Sequence, residues 1–182
     1  MRPLPPKFLK IHVLFPRLFL IFSLLFSAQS QAVTSQPLLQ KEALAAHNHW
    51  RRVHQAPPLS WDPALQHYAE NHADHCVFKH SNPPAYGENL AAGYSTVTAA
   101  VNAWYAEGEL YDYAHPGYSS ASGHFTQVVW VGTQKLGCAS VPCKGKNGTP
   151  GNYFVCEYSP PGNITNAGYF QQNVLPAQDS KF

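Results

Sequence analysis

Charge is scarce in this chain: Lys, Arg, Asp and Glu together supply 12% of 182 residues. No basic stripe or patch of the kind that tracks a phosphate backbone is present, which excludes nucleic acid as a partner. There is no internal repeat, so a solenoid or propeller is excluded. No Gly-x-Ser-x-Gly occurs, so the nucleophile elbow of an α/β-hydrolase is missing. Cysteine is limited to Cys76, Cys138, Cys143 and Cys156, and no Cys-x2-Cys knuckle is among them. Cys138 and Cys143 are separated by four residues, a spacing that disfavours a cysteine–zinc site.

The longest apolar stretch, Leu18 to Phe26, falls short of the ~20 residues that cross a bilayer. Arg2, Lys7, Lys10 and Arg17 surround or precede it, and Ser30-Gln31-Ala32 follows as a small-x-small site. Residues 1–32 therefore read as a signal peptide, with cleavage after Ala32 or Ala28. An uncleaved anchor is the alternative, because Ile11 to Phe15 extends the greasy stretch. Removing the leader takes away four of the twelve basic residues and leaves eight against ten acidic ones, a net charge of −2. What remains is long enough for one domain with a sizeable core. In an exported chain an even number of cysteines reads as two disulfides, with three connectivities possible. Asn147-Gly148-Thr149 and Asn163-Ile164-Thr165 are sequons.

Helical signals come first. Lys41 to about Gln55 reads as a helix, with Leu44, His47 and Arg51 on one side, stopped by Pro57-Pro58. Asp62-Pro63 sets a cap and a first-turn proline, and Leu65, Tyr68, Ala69, His72, Ala73 and Cys76 continue with a 3.6-residue period. Asn82-Pro83-Pro84 opens a loop expected to run to Gly93. Thr96 starts a third helix with Val97, Ala100, Val101 and Trp104 buried. Strand signals follow over His124 to Trp130, Leu136 to Val141 and Asn152 to Tyr158. Lys144 to Gly151 is the hairpin-type loop between the last two, and Cys143 and Cys156, which flank it, are the expected partners. Helices followed by strands make an α+β pattern with an antiparallel sheet.

Four residues break these local patterns. Glu107 lies on the apolar stripe of the third helix, three residues after Trp104. Glu88 sits in Tyr86-Gly87-Glu88-Asn89-Leu90, ahead of an apolar run. His80 follows the second helix, and His124 opens the first expected strand. Spacing alone does not bring the four together.

Gly123-His124-Phe125-Thr126-Gln127-Val128-Val129-Trp130-Val131-Gly132-Thr133 resembles the first signature of the CAP superfamily. That group comprises the cysteine-rich secretory, antigen 5 and pathogenesis-related class 1 proteins. Tyr153-Phe154-Val155-Cys156-Glu157-Tyr158-Ser159-Pro160-Pro161-Gly162-Asn163-Ile164 resembles its second signature. Leu59-Ser60-Trp61-Asp62, Gly87-Glu88-Asn89-Leu90 and Trp104-Tyr105-Ala106-Glu107 fit the intervening motifs in order. The likeness runs from about Leu44 to Tyr169 and is strongest toward plant and bacterial class 1-like members. Two departures stand out. Glu157 occupies a position where the family usually has Asn or another polar neutral or basic residue, and Tyr118 to Ser122 lack the cysteine of a third plant disulfide.

The resemblance implies a three-layer α-β-α sandwich with a central antiparallel sheet over residues 33–170; residues 171–182 read as a flexible tail. It implies a Cys76–Cys138 bridge, and a cleft lined by His80, Glu88, Glu107 and His124, with Ser81, Asn89 and Gln127 beside them. His80 and His124 are the expected ligands of a divalent ion, zinc being the natural candidate for an open two-imidazole site. The implied role is a secreted, extracellular or periplasmic, monomeric and non-enzymatic protein. It would bind a lipid, a sterol or another small ligand in a defence or host-interaction setting, with contacts from Tyr111, Tyr113 and Tyr118. A hydrolase using the same cleft, metal-assisted or through Ser81, is the alternative.

Overall fold

The computed structural model describes residues 36–82 and 84–178. The expected leader and the last four residues lie outside this range. Helix α1 covers residues 36–53 and closes at the Pro57-Pro58 stop. A two-residue strand, β1 (Ser60–Trp61), leads into α2 (Pro63–Ala73), where Asp62 Oδ1 accepts from the backbone N–H groups of Ala64 and Leu65. Strand β2 (Gly87–Tyr94) precedes α3 (Val97–Ala106), capped by the Thr96 hydroxyl. A short helix, α4 (Gly123–Val129), is followed by the long strands β3 (Lys135–Pro142) and β4 (Asn152–Ser159), and α5 (Tyr169–Asn173) comes last. Among the described residues, no helix is long and apolar enough to cross a membrane.

The sheet order is β1-β3-β4-β2. β4 runs antiparallel to both β3 and β2, and the two-residue β1 joins β3 in parallel. Helices cover both faces, giving an α-β-α sandwich. Strand alternation sends Tyr153 and Val155 to the α2 side and Phe154, Cys156 and Tyr158 to the side of α1, α3 and α4. Gly137 of β3 lets α2 approach closely, because a Cβ there would overlap the backbone of Leu65 and Gln66.

Four expectations are corrected. Gly123 to Val129 is a helix rather than a strand. Its residues from Phe125 to Val129 are all buried, so the stretch has no polar face from which a period could be read. The expected loop before Gly93 contains strand β2, whose small residues Gly87, Ala91 and Ala92 carry little strand signal. The disulfides are Cys76–Cys143 and Cys138–Cys156 rather than Cys76–Cys138 and Cys143–Cys156. Strand register decides this: Cys138 lies directly opposite Cys156, with Cα atoms 4.1 Å apart. Cys143 lies beyond the end of β3, in a loop that folds back on the end of α2. There Thr149 Oγ1 donates to Cys76 O and Asn147 Nδ2 to His75 O. Finally, of the segment expected as a loose tail, residues 171–173 complete α5 and residues 174–178 are fastened by hydrogen bonds from Gln178 N to Val53 O and from His54 Nδ1 to Leu175 O.

Candidate functional site

Glu88 is the second residue of the edge strand β2, and its carboxylate is almost wholly buried on the α2 side of the sheet. One oxygen, Oε1, accepts from His80 Nδ1 at 2.6 Å and from the Ser81 backbone N–H at 3.0 Å. The chain bends at Asn82, and residues 80 and 81 reach β2 through these two hydrogen bonds. Burial alone would raise the Glu88 pKa, but the hydrogen bonds from His80 and Ser81 outweigh it and hold the carboxyl below its ordinary value. The same hydrogen bond raises the pKa of the His80 imidazole, which is otherwise 62% exposed.

Glu107 ends α3, and its two oxygens grip the start of α4. Oε1 accepts from His124 Nδ1 at 2.7 Å and Oε2 from the His124 backbone N–H at 3.0 Å. Ser122, which precedes α4, makes no side-chain cap, so the carboxylate from α3 fills that role in the first turn. The Trp104 ring stacks on the imidazole at 6.0 Å.

These two pairs are linked through neighbouring residues of β2. Asn89 follows Glu88 and points to the opposite face of the sheet, where its Nδ2 donates to His124 O at 3.1 Å. Glu88 thus holds His80 from one face of the edge strand while Asn89 holds the His124 backbone from the other. Among the described residues, each imidazole has Nδ1 committed to a carboxylate and makes no hydrogen bond through Nε2.

The other expected site residues divide. Ser81 meets Glu88 through its backbone N–H, and among the described residues its hydroxyl makes no bond to His80. Gln127 does not line a cleft. It is buried, donates from Nε2 to Thr133 Oγ1 and accepts from Gly162 N, joining α4 to the chain after β4. Tyr111 packs into the core against Phe125, whereas Tyr113 and Tyr118 are exposed.

A cavity of about 520 Å³ opens between α1 and α3. Trp50, His54, Tyr105, Phe125 and Tyr113 line it, with Ala177 from the C-terminal segment. Trp50 stacks face to face on Tyr105 at 3.7 Å. Burial shifts its titratable rings toward their neutral forms: the His54 pKa is lowered, that of Tyr105 raised, and that of Tyr113 pushed up to about 12. None of His80, Glu88, Glu107 and His124 borders this cavity.

Sequence reasoning missed the residues that hold these parts in place. Arg51 is completely buried and donates to the carbonyls of Pro57, Val128, Trp130 and Thr133 at 2.8–3.0 Å. Asn163 donates to Gly123 O and accepts from Thr126 Oγ1. Glu157 lies directly opposite Glu88 across the β2–β4 ladder and is fully buried.

The profile of the cysteine-rich secretory protein family, CAP, matches residues 44–158. The chain belongs to the CAP family. Protein PRY2 of Saccharomyces cerevisiae is 46% identical over 135 residues, which cover 71% of this chain and 39% of that protein. Secreted protein RBT4 of Candida albicans is 43% identical over 76% of this chain and 41% of its own length. This CAP chain therefore spans well under half of these two fungal relatives. Pathogenesis-related protein 1A1 of Solanum lycopersicum is 38% identical over 92% of this chain and 95% of its own length. Among solved structures, NaASP2 crystallised with Zn2+ superposes with a TM-score of 0.54 at 30% identity, covering 70% of this chain and 82% of that one.

Proposed function

We propose that this CAP protein is a secreted, non-enzymatic binder of a small apolar ligand of the lipid or sterol class, with a metal-capable His/Glu site of its own. The observation that carries the ligand reading is the cavity between α1 and α3. Its walls are aromatic, its titratable rings are biased to neutrality, and its volume of about 520 Å³ suits one small ligand. Of the three tyrosines expected to touch ligand, Tyr113 borders this cavity, so the ligand contact is assigned to it together with Trp50 and Tyr105. Export is supported by the leader-like first 32 residues and two disulfides, and RBT4 is named as a secreted protein.

His80 and His124 fit a divalent ion in one respect. In each, a carboxylate accepts from Nδ1 and leaves Nε2 as the ligating nitrogen, the carboxylate–histidine arrangement common around zinc. Among the described residues, no three His, Cys, Asp or Glu side chains come together closely enough to hold a metal. Zinc taken up here would bind Nε2 of His80 or of His124, with water completing its shell and Glu88 or Glu107 orienting the ring.

The deciding experiment is a titration of the purified protein with a fluorescent sterol and a fluorescent fatty acid, read by quenching of Trp50. Ala106→Trp fills the cavity from an exposed position and is expected to abolish saturable uptake without lowering Tm. Equal uptake by the variant and the wild type refutes the cavity assignment.

A further inference from the structure

Among the described residues, Glu157 is a fully buried acidic group that this function leaves without a task, and its surroundings contradict a second negative charge. Its position in β4 places it directly opposite Glu88 of β2, on the α2 side of the sheet. On its other flank β3 presents Gly137, which has no side chain to offer a donor. From its own strand, Tyr153 faces the same side, but its hydroxyl donates to Val77 O. From α2, His72 lies 3.8 Å from Glu88 Oε2, but its Nε2 is committed to Lys79 O at 2.9 Å. His80 and the Ser81 N–H both serve Glu88 Oε1. With both groups ionised, Glu88 Oε2 and both Glu157 oxygens are buried with no hydrogen-bond donor.

Two buried carboxylates that meet with no donor between them repel each other, and Glu88 Oε2 and both Glu157 oxygens lack the donors that would replace water. One proton resolves both problems, because it converts one acceptor into a donor aimed at the other. We propose that Glu157 is a neutral carboxylic acid that donates its O–H to Glu88, making it the positioning residue for the carboxylate that holds His80. The hydrogen bonds already made place the proton on Glu157 rather than Glu88. Glu88 already accepts two hydrogen bonds, which favour its charged form, while Glu157 accepts none and is the more deeply enclosed. Burial, followed by the neighbouring Glu88 charge, pushes the Glu157 pKa up to about 9, in keeping with this assignment. The cluster then carries one negative charge rather than two. Glu88 is held at one oxygen by His80 and Ser81 and at the other by Glu157, so its direction toward the imidazole is set from both sides.

The test is carbon-13 NMR of the full secreted protein, labelled at the glutamate side-chain carboxyl, with Glu157 assigned from Glu157→Gln. The expected Glu157 resonance at pH 7 is that of a protonated acid, with no titration step between pH 5 and 8. An ionised Glu157 signal at pH 7 overturns the proposal. A second readout needs no assignment. Glu157→Gln replaces the acid O–H with an amide N–H donor that cannot ionise. Its Tm is expected to match the wild type near pH 4.5, the ordinary glutamate value, and to exceed it progressively from there to pH 9. Parallel Tm profiles for the two proteins across that range also overturn the proposal.

Discussion

Arg51 sits in α1 with no carboxylate among its hydrogen-bond partners; it spreads its charge over four backbone carbonyls. Val128 O and Trp130 O lie at the end of α4, where a cation complements the helix dipole. The guanidinium thus fastens α4, which carries His124 at its other end, to α1. Burial lowers the Arg51 pKa from 12.5 to about 10, which corresponds to an opposing term of roughly 3 kcal/mol. Hydrogen bonds from a charged donor contribute about 1.5–3 kcal/mol each. Four of them exceed the opposing term, although they are not additive. Arg51→Met keeps most of the apolar stem, removes the desolvation cost and leaves four inward carbonyls without a donor. The expected loss is about 3–5 kcal/mol, the range for removing one partner of a buried charged network. In a domain of this size it lowers Tm by roughly 10 °C or more. Calorimetry and urea unfolding at pH 7, with both disulfides intact, measure it. Arg51→Lys should fall between the two proteins, because one ammonium cannot span the same fork of acceptors. A loss below about 1 kcal/mol in Arg51→Met refutes the reasoning, since water would then satisfy the carbonyls as well as the guanidinium does.

Disulfide mapping under non-reducing conditions should recover Cys76 linked to Cys143 and Cys138 linked to Cys156. By chain entropy, removing the first pair, with its sequence separation of 67, should cost about 4 kcal/mol, and removing the second, with 18, about 3 kcal/mol. Gly137→Ala should fold poorly, because its new Cβ meets the α2 backbone at Leu65 and Gln66; secretion yield and circular dichroism report it. Burial lowers the His47 pKa to about 4, with Nδ1 donating to Ala43 O and Nε2 accepting from the Tyr158 hydroxyl. The folded state then binds fewer protons than the unfolded one between about pH 4 and 6.5. The neutral imidazole's contribution is complete above pH 6.5 and is lost as the pH falls toward 4. The size is about 3 kcal/mol, measurable as a pH-dependent urea midpoint that flattens in His47→Gln.

What was legible in the sequence was what local chemistry decides. Asp62-Pro63 and Thr96 mark helix starts because a side-chain oxygen there meets free backbone N–H groups. β3 and β4 announce themselves through Leu136, Val141, Tyr153, Phe154 and Val155. Strand β2 stayed hidden because it gains its place from pairing with β4 rather than from its own small residues, and α4 because burial on every side erases its period. The disulfide pairing was illegible for a related reason. The loop between Cys143 and Cys156 suggests a bridge between them, but register sets Cys138 against Cys156 and leaves Cys143 to the end of α2. Arg51 read as one more member of a helix face. Only tertiary structure shows that its side faces carbonyls rather than solvent.

Family resemblance implied one cleft lined by His80, Glu88, Glu107 and His124; their sorting into His80–Glu88 and His124–Glu107 and the connection through β2 are the part no motif contains. An edge strand has one side of its ladder free, and here its first three residues are used side chain by side chain. Gly87 leaves room for the Gln127 amide, which a Cβ would strike; Glu88 turns to the α2 face and Asn89 to the α4 face. A one-residue slip of β2 against β4 would exchange those faces and part both histidines from their present contacts. Cys138–Cys156 fixes β3 to β4, and the Glu88–Glu157 contact fixes β4 to β2 at the neighbouring position. The geometry of the two imidazoles is therefore a consequence of sheet register. Substitutions in β4 that never touch a histidine should change how both are held.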